Sequence, residues 1–326
     1  MATTTTKSII NDLFNTWCSS SPDAAIIKTA LLKKNIEMNN LDHFAIIDLP
    51  GPYSGIPVLR EIFSDLGYEE RGKDYLADKQ NDFLWMAEKD CFNQPAKNVL
   101  PQVVVADFRL DEMPGEIRKI IYHYSCQTSP TAVSEIKKFG YQRILQYFSG
   151  RDWPLPAIKE FSLVREFNEL LAWVLVFGRR PNHFTLSIHL MDAFADLESF
   201  HAFVLNETKL LLNQEGGVIK GGIKAGMAQG STVGISQKVQ LSDGEIYIPT
   251  GFVEFVFRYP LDPLNHQGLW GDYFTDFIAR HADRVIESLY DVTRENTVTP
   301  ENAVAQEKAV AEEKVVTPEN APPHYC

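Results

Sequence analysis

Leu41-Asp42-His43-Phe44-Ala45-Ile46 and Pro181-Asn182-His183-Phe184-Thr185-Leu186 are two copies of one phrase. Each reads as a buried strand with a histidine near its start. In both halves of the chain a helix-like segment and then further strands follow. A late strand, Gly251-Phe252-Val253-Glu254-Phe255-Val256-Phe257-Arg258, sets a carboxylate inside an apolar run. An unpaired buried carboxylate is costly, so Glu254 calls for a metal or a cationic partner. Two histidines on matching strands and one embedded glutamate make a two-His-one-carboxylate ligand set. A lone histidine at a strand start is more often structural. It is the matched pair, with Glu254, that points to ligation.

Outward from these strands the body divides into four parts. Residues 1–40 read as helical, with Ile9, Leu13 and Trp17 spaced by fours and a second helix-forming run from Ala25 to Lys34. Residues 41–108 form a first module: a strand at 41–48, a Gly/Pro-rich turn at 50–57, a helix at about 57–66, then strands near 68–75, 82–87 and 102–108. Residues 111–180 read as a mostly helical insert, broken at Trp153-Pro154-Leu155-Pro156 and containing the apolar run Leu170 to Phe177. Residues 181–260 repeat the first pattern. Their helix runs through Leu197 to Leu212, and their later strands lie near 218–223, 231–241 and 245–258. A final helix at about 271–290 closes a single metal-binding domain of residues 1–290. The prediction is an α+β fold of paired βαβββ modules around a central cavity.

The tail reads differently. Val292-Thr293-Arg294-Glu295-Asn296, Val298-Thr299-Pro300-Glu301-Asn302 and Val316-Thr317-Pro318-Glu319-Asn320 are near-repeats with few large apolar residues. Residues 291–326 are expected to be a low-complexity acidic tail, disordered or weakly helical. They carry seven acids and three bases, so -4 of the net -12 sits there.

Composition excludes several classes. With 326 residues and 44% hydrophobic content the chain can bury a sizeable core. No apolar stretch is long enough to cross a bilayer. Met1 to Ser8 lacks the apolar centre of a secretory signal, and Cys18, Cys91, Cys126 and Cys326 form no C-x-x-C pair. A reducing, cytoplasmic location is the expectation. The negative charge argues against nucleic acid as a partner. Gly216-Gly217 and Gly221-Gly222 lack the G-x-x-x-x-G-K-[ST] phosphate loop and read as strand-edge turns, and no G-x-S-x-G elbow is present.

The doubled strand–helix–three-strand pattern resembles the vicinal oxygen chelate superfamily. That resemblance implies a metal between the modules, held from their first and last strands. His43, His183 and Glu254 fill three of four symmetry-related positions, and Gln102, opening Gln102-Val103-Val104-Val105-Ala106-Asp107, is placed at roughly the fourth. More narrowly, the phrases Val105-Ala106-Asp107-Phe108-Arg109-Leu110, Asn182-His183-Phe184-Thr185, Gln229-Gly230-Ser231-Thr232 and Phe255-Val256-Phe257-Arg258-Tyr259-Pro260 resemble the 2-oxoadipate dioxygenase/decarboxylase (2-hydroxyglutarate synthase) family.

The similarity covers about residues 35–290 and fits a shorter branch. It implies Fe(2+), molecular oxygen, and a 2-oxo acid that loses CO2 while being hydroxylated. It places Gln229 and Ser231 near substrate. One departure stands out. The family carries an arginine four residues after the first metal histidine, and here that position is Ile47. Residues 43, 45 and 47 share a strand face, so an arginine there would enter the cavity. Arg258, on the face of Glu254, is the candidate replacement. His189 lies six residues beyond His183, about 20 Å at strand rise, and is too far to share its ion. His123, in the insert, is expected to pack or hydrogen-bond. Two other readings stay open: a metal-dependent lyase or isomerase of the same superfamily, and a binding protein that has lost turnover.

Overall fold

Pleating sorts the two faces of the first strand. In Leu41–Ile47 (β1), Phe44 and Ile46 enter a hydrophobic core while His43, Ala45 and Ile47 line a cavity on the opposite face. The computed structural model describes residues 4–130 and 140–290, with the backbone of Thr297 and Val298. Among residues 4–290, ten further strands follow β1: β2 (Tyr68–Leu76), β3 (Asn81–Glu88), β4 (Gln102–Phe108), β5 (His183–Ser187), β6 (Leu212–Asn213), β7 (Lys220–Gly222), β8 (Met227–Ser231), β9 (Ser236–Gln240), β10 (Glu245–Pro249) and β11 (Phe252–Arg258).

β1 and seven of these form one eight-stranded sheet in the order β2-β3-β4-β1-β5-β11-β8-β7. In each half the first strand lies parallel to the last: β1 to β4, and β5 to β11. The remaining pairs in each half are antiparallel. A parallel pair needs a crossover connection. Helices Ile56–Asp65 and Leu197–Thr208 occupy the two crossovers. The halves meet at an antiparallel β1–β5 pair, with His43 opposite Thr185 and Phe44 opposite Phe184. The paired βαβββ architecture is therefore borne out, as one continuous sheet.

One face of the sheet packs on Trp17, Ile27, Phe63 and Phe200 from helices Thr4–Ser20, Pro22–Lys33, Ile56–Asp65 and Leu197–Thr208. The other face is covered by helices Gly115–Ser125, Ile158–Phe167, Glu169–Phe177 and Ala279–Ile286. Every residue from Leu170 to Phe177 is buried, as an all-apolar helix requires. Asn168 starts that helix by accepting from the Leu171 N–H at 2.9 Å.

Several boundaries differ from the sequence reading. The stretch 231–241 splits between β8 and β9, and 245–258 splits between β10 and β11. Pro249 and Gly251 explain the second break. Proline offers no ladder donor, and a Cβ on Gly251 would fall 2.6 Å from Ser21 Oγ and 2.8 Å from the Asn182 carbonyl. β9 and β10 instead form their own hairpin. The second crossover helix stops at Thr208, where Lys209 is left-handed with φ 62°. The closing helix shortens to Ala279–Ile286 and a following 3-10 turn. The predicted tail lies outside the described residues, except that Thr297–Val298 pair antiparallel with β6. Among the described cysteines, Cys18, Cys91 and Cys126 are free thiols. No described helix is long and apolar enough to cross a membrane.

Candidate metal centre

Register brings the doubled phrase to one point. His43 on β1 faces Thr185 on β5, and Thr185 in turn faces Glu254 on β11. His183, two residues before Thr185, points to the same side. Ligand atoms from His43, His183 and Glu254 all lie within 4.8 Å of one another. Glu254 Oε2 is 3.2 Å from His43 Nε2 and 3.2 Å from His183 Nε2. All three side chains are buried.

Each histidine is oriented by the residue before it. Asp42 Oδ1 lies 2.7 Å from His43 Nδ1, and Asn182 Oδ1 lies 2.7 Å from His183 Nδ1. With Nδ1–H donating to those oxygens, each Nε2 is turned toward Glu254. A carboxylate or amide behind a ligating imidazole is the usual outer support of a metal site. Thr185 Oγ1 donates to Glu254 Oε2 at 3.0 Å and lies 3.0 Å from His43 Nε2. Gln229 Nε2 donates to Glu254 Oε1 at 2.6 Å.

The electrostatics fit a cation here. Burial works to raise the Glu254 carboxyl, but His43 and His183 hold it well below the usual carboxylate range. Burial works to lower His43, but Glu254 and Asp42 hold it up to about 9. Burial keeps His183 below the ordinary histidine range. The site thus gathers positive charge onto one buried carboxylate, which a divalent ion would do with fewer protons. Two imidazoles and one carboxylate suit a first-row metal, non-haem Fe(II) among them, with coordination positions left open.

The other sequence candidates land in different places. Gln229 lines the cavity. Ser231 is opposite Glu254 in register, but its hydroxyl meets Ser288 Oγ at 2.9 Å and it does not line the cavity. Arg258 is fully buried and outside the lining; it grips Asp42 at 2.7 and 2.9 Å and the Phe274 carbonyl at 2.6 Å. Ile47 does line the cavity.

Gln102 is not the fourth position. It lies opposite His43 as Phe252 lies opposite His183, so the counterpart of Glu254 is Val104, two residues on. Gln102 Nε2 donates instead to the Thr275 carbonyl at 3.0 Å. His189 has left the strand for a 3-10 turn, where its Nδ1 accepts from the Arg258 N–H at 3.3 Å. His123 is exposed, with its ring 5.1 Å from that of Tyr124.

Sequence reasoning misses Asp42, Asn182 and Thr185 as site residues. The signal is present, because an Asp or Asn precedes the histidine in both copies of the phrase. Phe277 is a further one. It comes from the segment before the closing helix and stands edge-on to His43, with ring centroids 4.7 Å apart.

No family model matches this chain. A curated relative from Arabidopsis thaliana, a 2-oxoadipate dioxygenase/decarboxylase described as chloroplastic, is 26% identical over 294 residues, covering 87% of this chain and 77% of the relative. Among solved structures, the hydroxyglutarate synthase from Oryza sativa in complex with 2-oxoadipate aligns with a TM-score of 0.74 at 25% identity, covering 88% of this chain and 93% of that one. A glyoxalase superfamily protein from Ralstonia eutropha JMP134 shares the fold, with a TM-score of 0.64 at 14% identity, over 82% of this chain and 85% of the other. The chain is thus a homologue of the 2-oxoadipate dioxygenase/decarboxylases, and the resemblance read from its sequence is borne out.

Proposed function

We propose that this protein is a non-haem Fe(II)-dependent dioxygenase that decarboxylates and hydroxylates a 2-oxo acid. The observation that carries the reading is the convergence of His43, His183 and Glu254 at the wall of a buried cavity. The similarity to the Arabidopsis and rice proteins supports the reaction class.

In that reaction the C1–C2 bond of R–CH2–CO–COO⁻ breaks and CO2 leaves. One oxygen atom of O2 enters the new carboxylate at C2, and the other enters the C3–H bond. The product is R–CH(OH)–COO⁻. Oxygen takes up four electrons, two from the cleavage and two from the hydroxylation, so no external reductant is needed. Bound iron would supply the redox chemistry and the Lewis acidity.

The chain's own residues do the rest. His43, His183 and Glu254 would hold the ion at the cavity wall. Asp42 and Asn182 fix the imidazole orientations. Gln229 fixes the free oxygen of Glu254. Its own Oε1 makes no hydrogen bond within the protein. The apolar walls exclude water around the reacting carbons.

The test is an anaerobic iron titration followed by oxygen-electrode assays with a panel of 2-oxo acids. One O2 consumed per CO2 released, abolished in His183→Ala, is the expected result. Iron-loaded protein that consumes no oxygen with any 2-oxo acid would refute the reading.

A further inference from the structure

The cavity beside the three ligands is walled by carbon. Ile47, Leu76, Phe83, Leu170, Phe277 and Ile286 make most of that wall. Among the described residues, the two polar side chains that line it besides the ligands are amides, and the NH2 group of each is engaged. Asn81 Nδ2 donates to the Asp107 carbonyl at 2.8 Å, and Gln229 Nε2 donates to Glu254. No lysine or arginine among the described residues lines it.

The buried cations elsewhere do not supply the missing charge. Arg258 is bound to Asp42, and Arg179 to Asp48 and Asp152. Lys79, two residues from Asn81, is held by Asp283 at 2.6 Å and Glu287 at 3.6 Å. Asp283 and Glu287 thus hold Lys79 outside the cavity lining. Lys220 gives a hydrogen bond to the Asn213 carbonyl at 3.1 Å and lies outside the lining, although its partner across β7–β8 is Gln229.

A 2-oxo acid can commit its own carboxylate and keto oxygen to the ion. A second carboxylate at the far end would then be buried among apolar groups, which is strongly unfavourable without a cation. A methyl or branched alkyl end would gain from the same burial. We propose that the native substrate is a monocarboxylic 2-oxo acid with an apolar side chain, converted to a 2-hydroxy acid one carbon shorter. The reaction rests on the oxygenase reading above, while the choice of side chain rests on the cavity wall alone.

The matched probes are 2-oxohexanoate and 2-oxoadipate, which differ in the terminal group and share a six-carbon chain. Two readouts are taken: anaerobic binding to the iron-loaded protein, and kcat/KM from oxygen uptake with the product identified by mass. Wild type is expected to favour 2-oxohexanoate at least tenfold in both. Ile47→Arg should shift the ratio toward 2-oxoadipate by tenfold or more. Tighter binding and faster turnover of 2-oxoadipate by wild type would overturn the proposal, and selective loss of that turnover in Lys220→Met would name the cation it overlooked. Preferential binding of 2-oxohexanoate without oxygen uptake would keep the side-chain assignment and remove the oxygenase reading. The wild-type comparison stands even if Ile47→Arg fails to fold.

Discussion

Arg258 and Asp42, both fully buried, are joined by two hydrogen bonds of 2.7 and 2.9 Å, and Asp42 is in turn 2.7 Å from His43 Nδ1. The pair spans the join between the halves, from the last strand of one to the first strand of the other. Arg258 also holds the carbonyls of Phe274 and Asp276, which lead into Phe277 beside His43. Arg258 is thus linked to His43 through Asp42, the arrangement of a positioning residue.

Removing one member of this pair should be strongly destabilising. Arg258→Ala leaves a buried carboxylate without its partner, a loss of about 3–5 kcal/mol in comparable cases. Urea unfolding of the ion-free protein measures it. Asp42→Asn should lower metal affinity by roughly 10–100-fold, because the imidazole loses its anionic support. Wild-type stability in the first variant, with wild-type affinity in the second, would show that the pair does not position the site.

The ligands themselves predict a second result. Purified anaerobically and reconstituted with Fe(II), the protein should hold about one ion per chain, a stoichiometry expected of a single three-ligand site. Replacing His43, His183 or Glu254 with alanine should empty the site. An ion that binds only the folded state at 100 times its Kd adds about 2.7 kcal/mol of stability. Chelation should therefore lower Tm in wild type and leave His183→Ala unmoved. Full metal content in His183→Ala would remove the assignment.

Much of this is legible in the sequence because strand alternation and the doubled histidine phrase are local signals. Residues 43, 45 and 47 do share the cavity face, and Leu170–Phe177 is an interior helix. Register is where the reading fails. Spacing gives Gln102 the fourth symmetric position that pairing assigns to Val104, since spacing does not fix which residues face each other across strands. Arg258 illustrates a second limit. Its strand face is readable, but its capture by Asp42, 216 positions away, depends on the join between β1, β5 and β11. Side-chain destinations across such a join are tertiary facts.

A last prediction concerns Asp23, in the first turn of helix Pro22–Lys33. Its carboxyl fastens that helix to the centre of the sheet, accepting from the Val253 N–H at 3.1 Å and from the Thr232 hydroxyl. Its Oδ1 is buried with no hydrogen-bond partner. Burial pushes the group from its ordinary value of 3.8 up to about 6, against the pull of those hydrogen bonds. Below pH 4 the folded and unfolded forms are both protonated there. Between pH 4 and 6 the unfolded chain releases this proton while the folded chain keeps it, so the contribution to stability falls as pH rises. The loss should approach roughly 3 kcal/mol above pH 6. Asp23→Asn keeps an acceptor for Val253 and removes the titration. Measured by urea unfolding, the stability of the variant relative to wild type should rise by that amount from pH 4 to pH 7. Parallel stability curves across this range would show that Asp23 ionises freely in the folded protein.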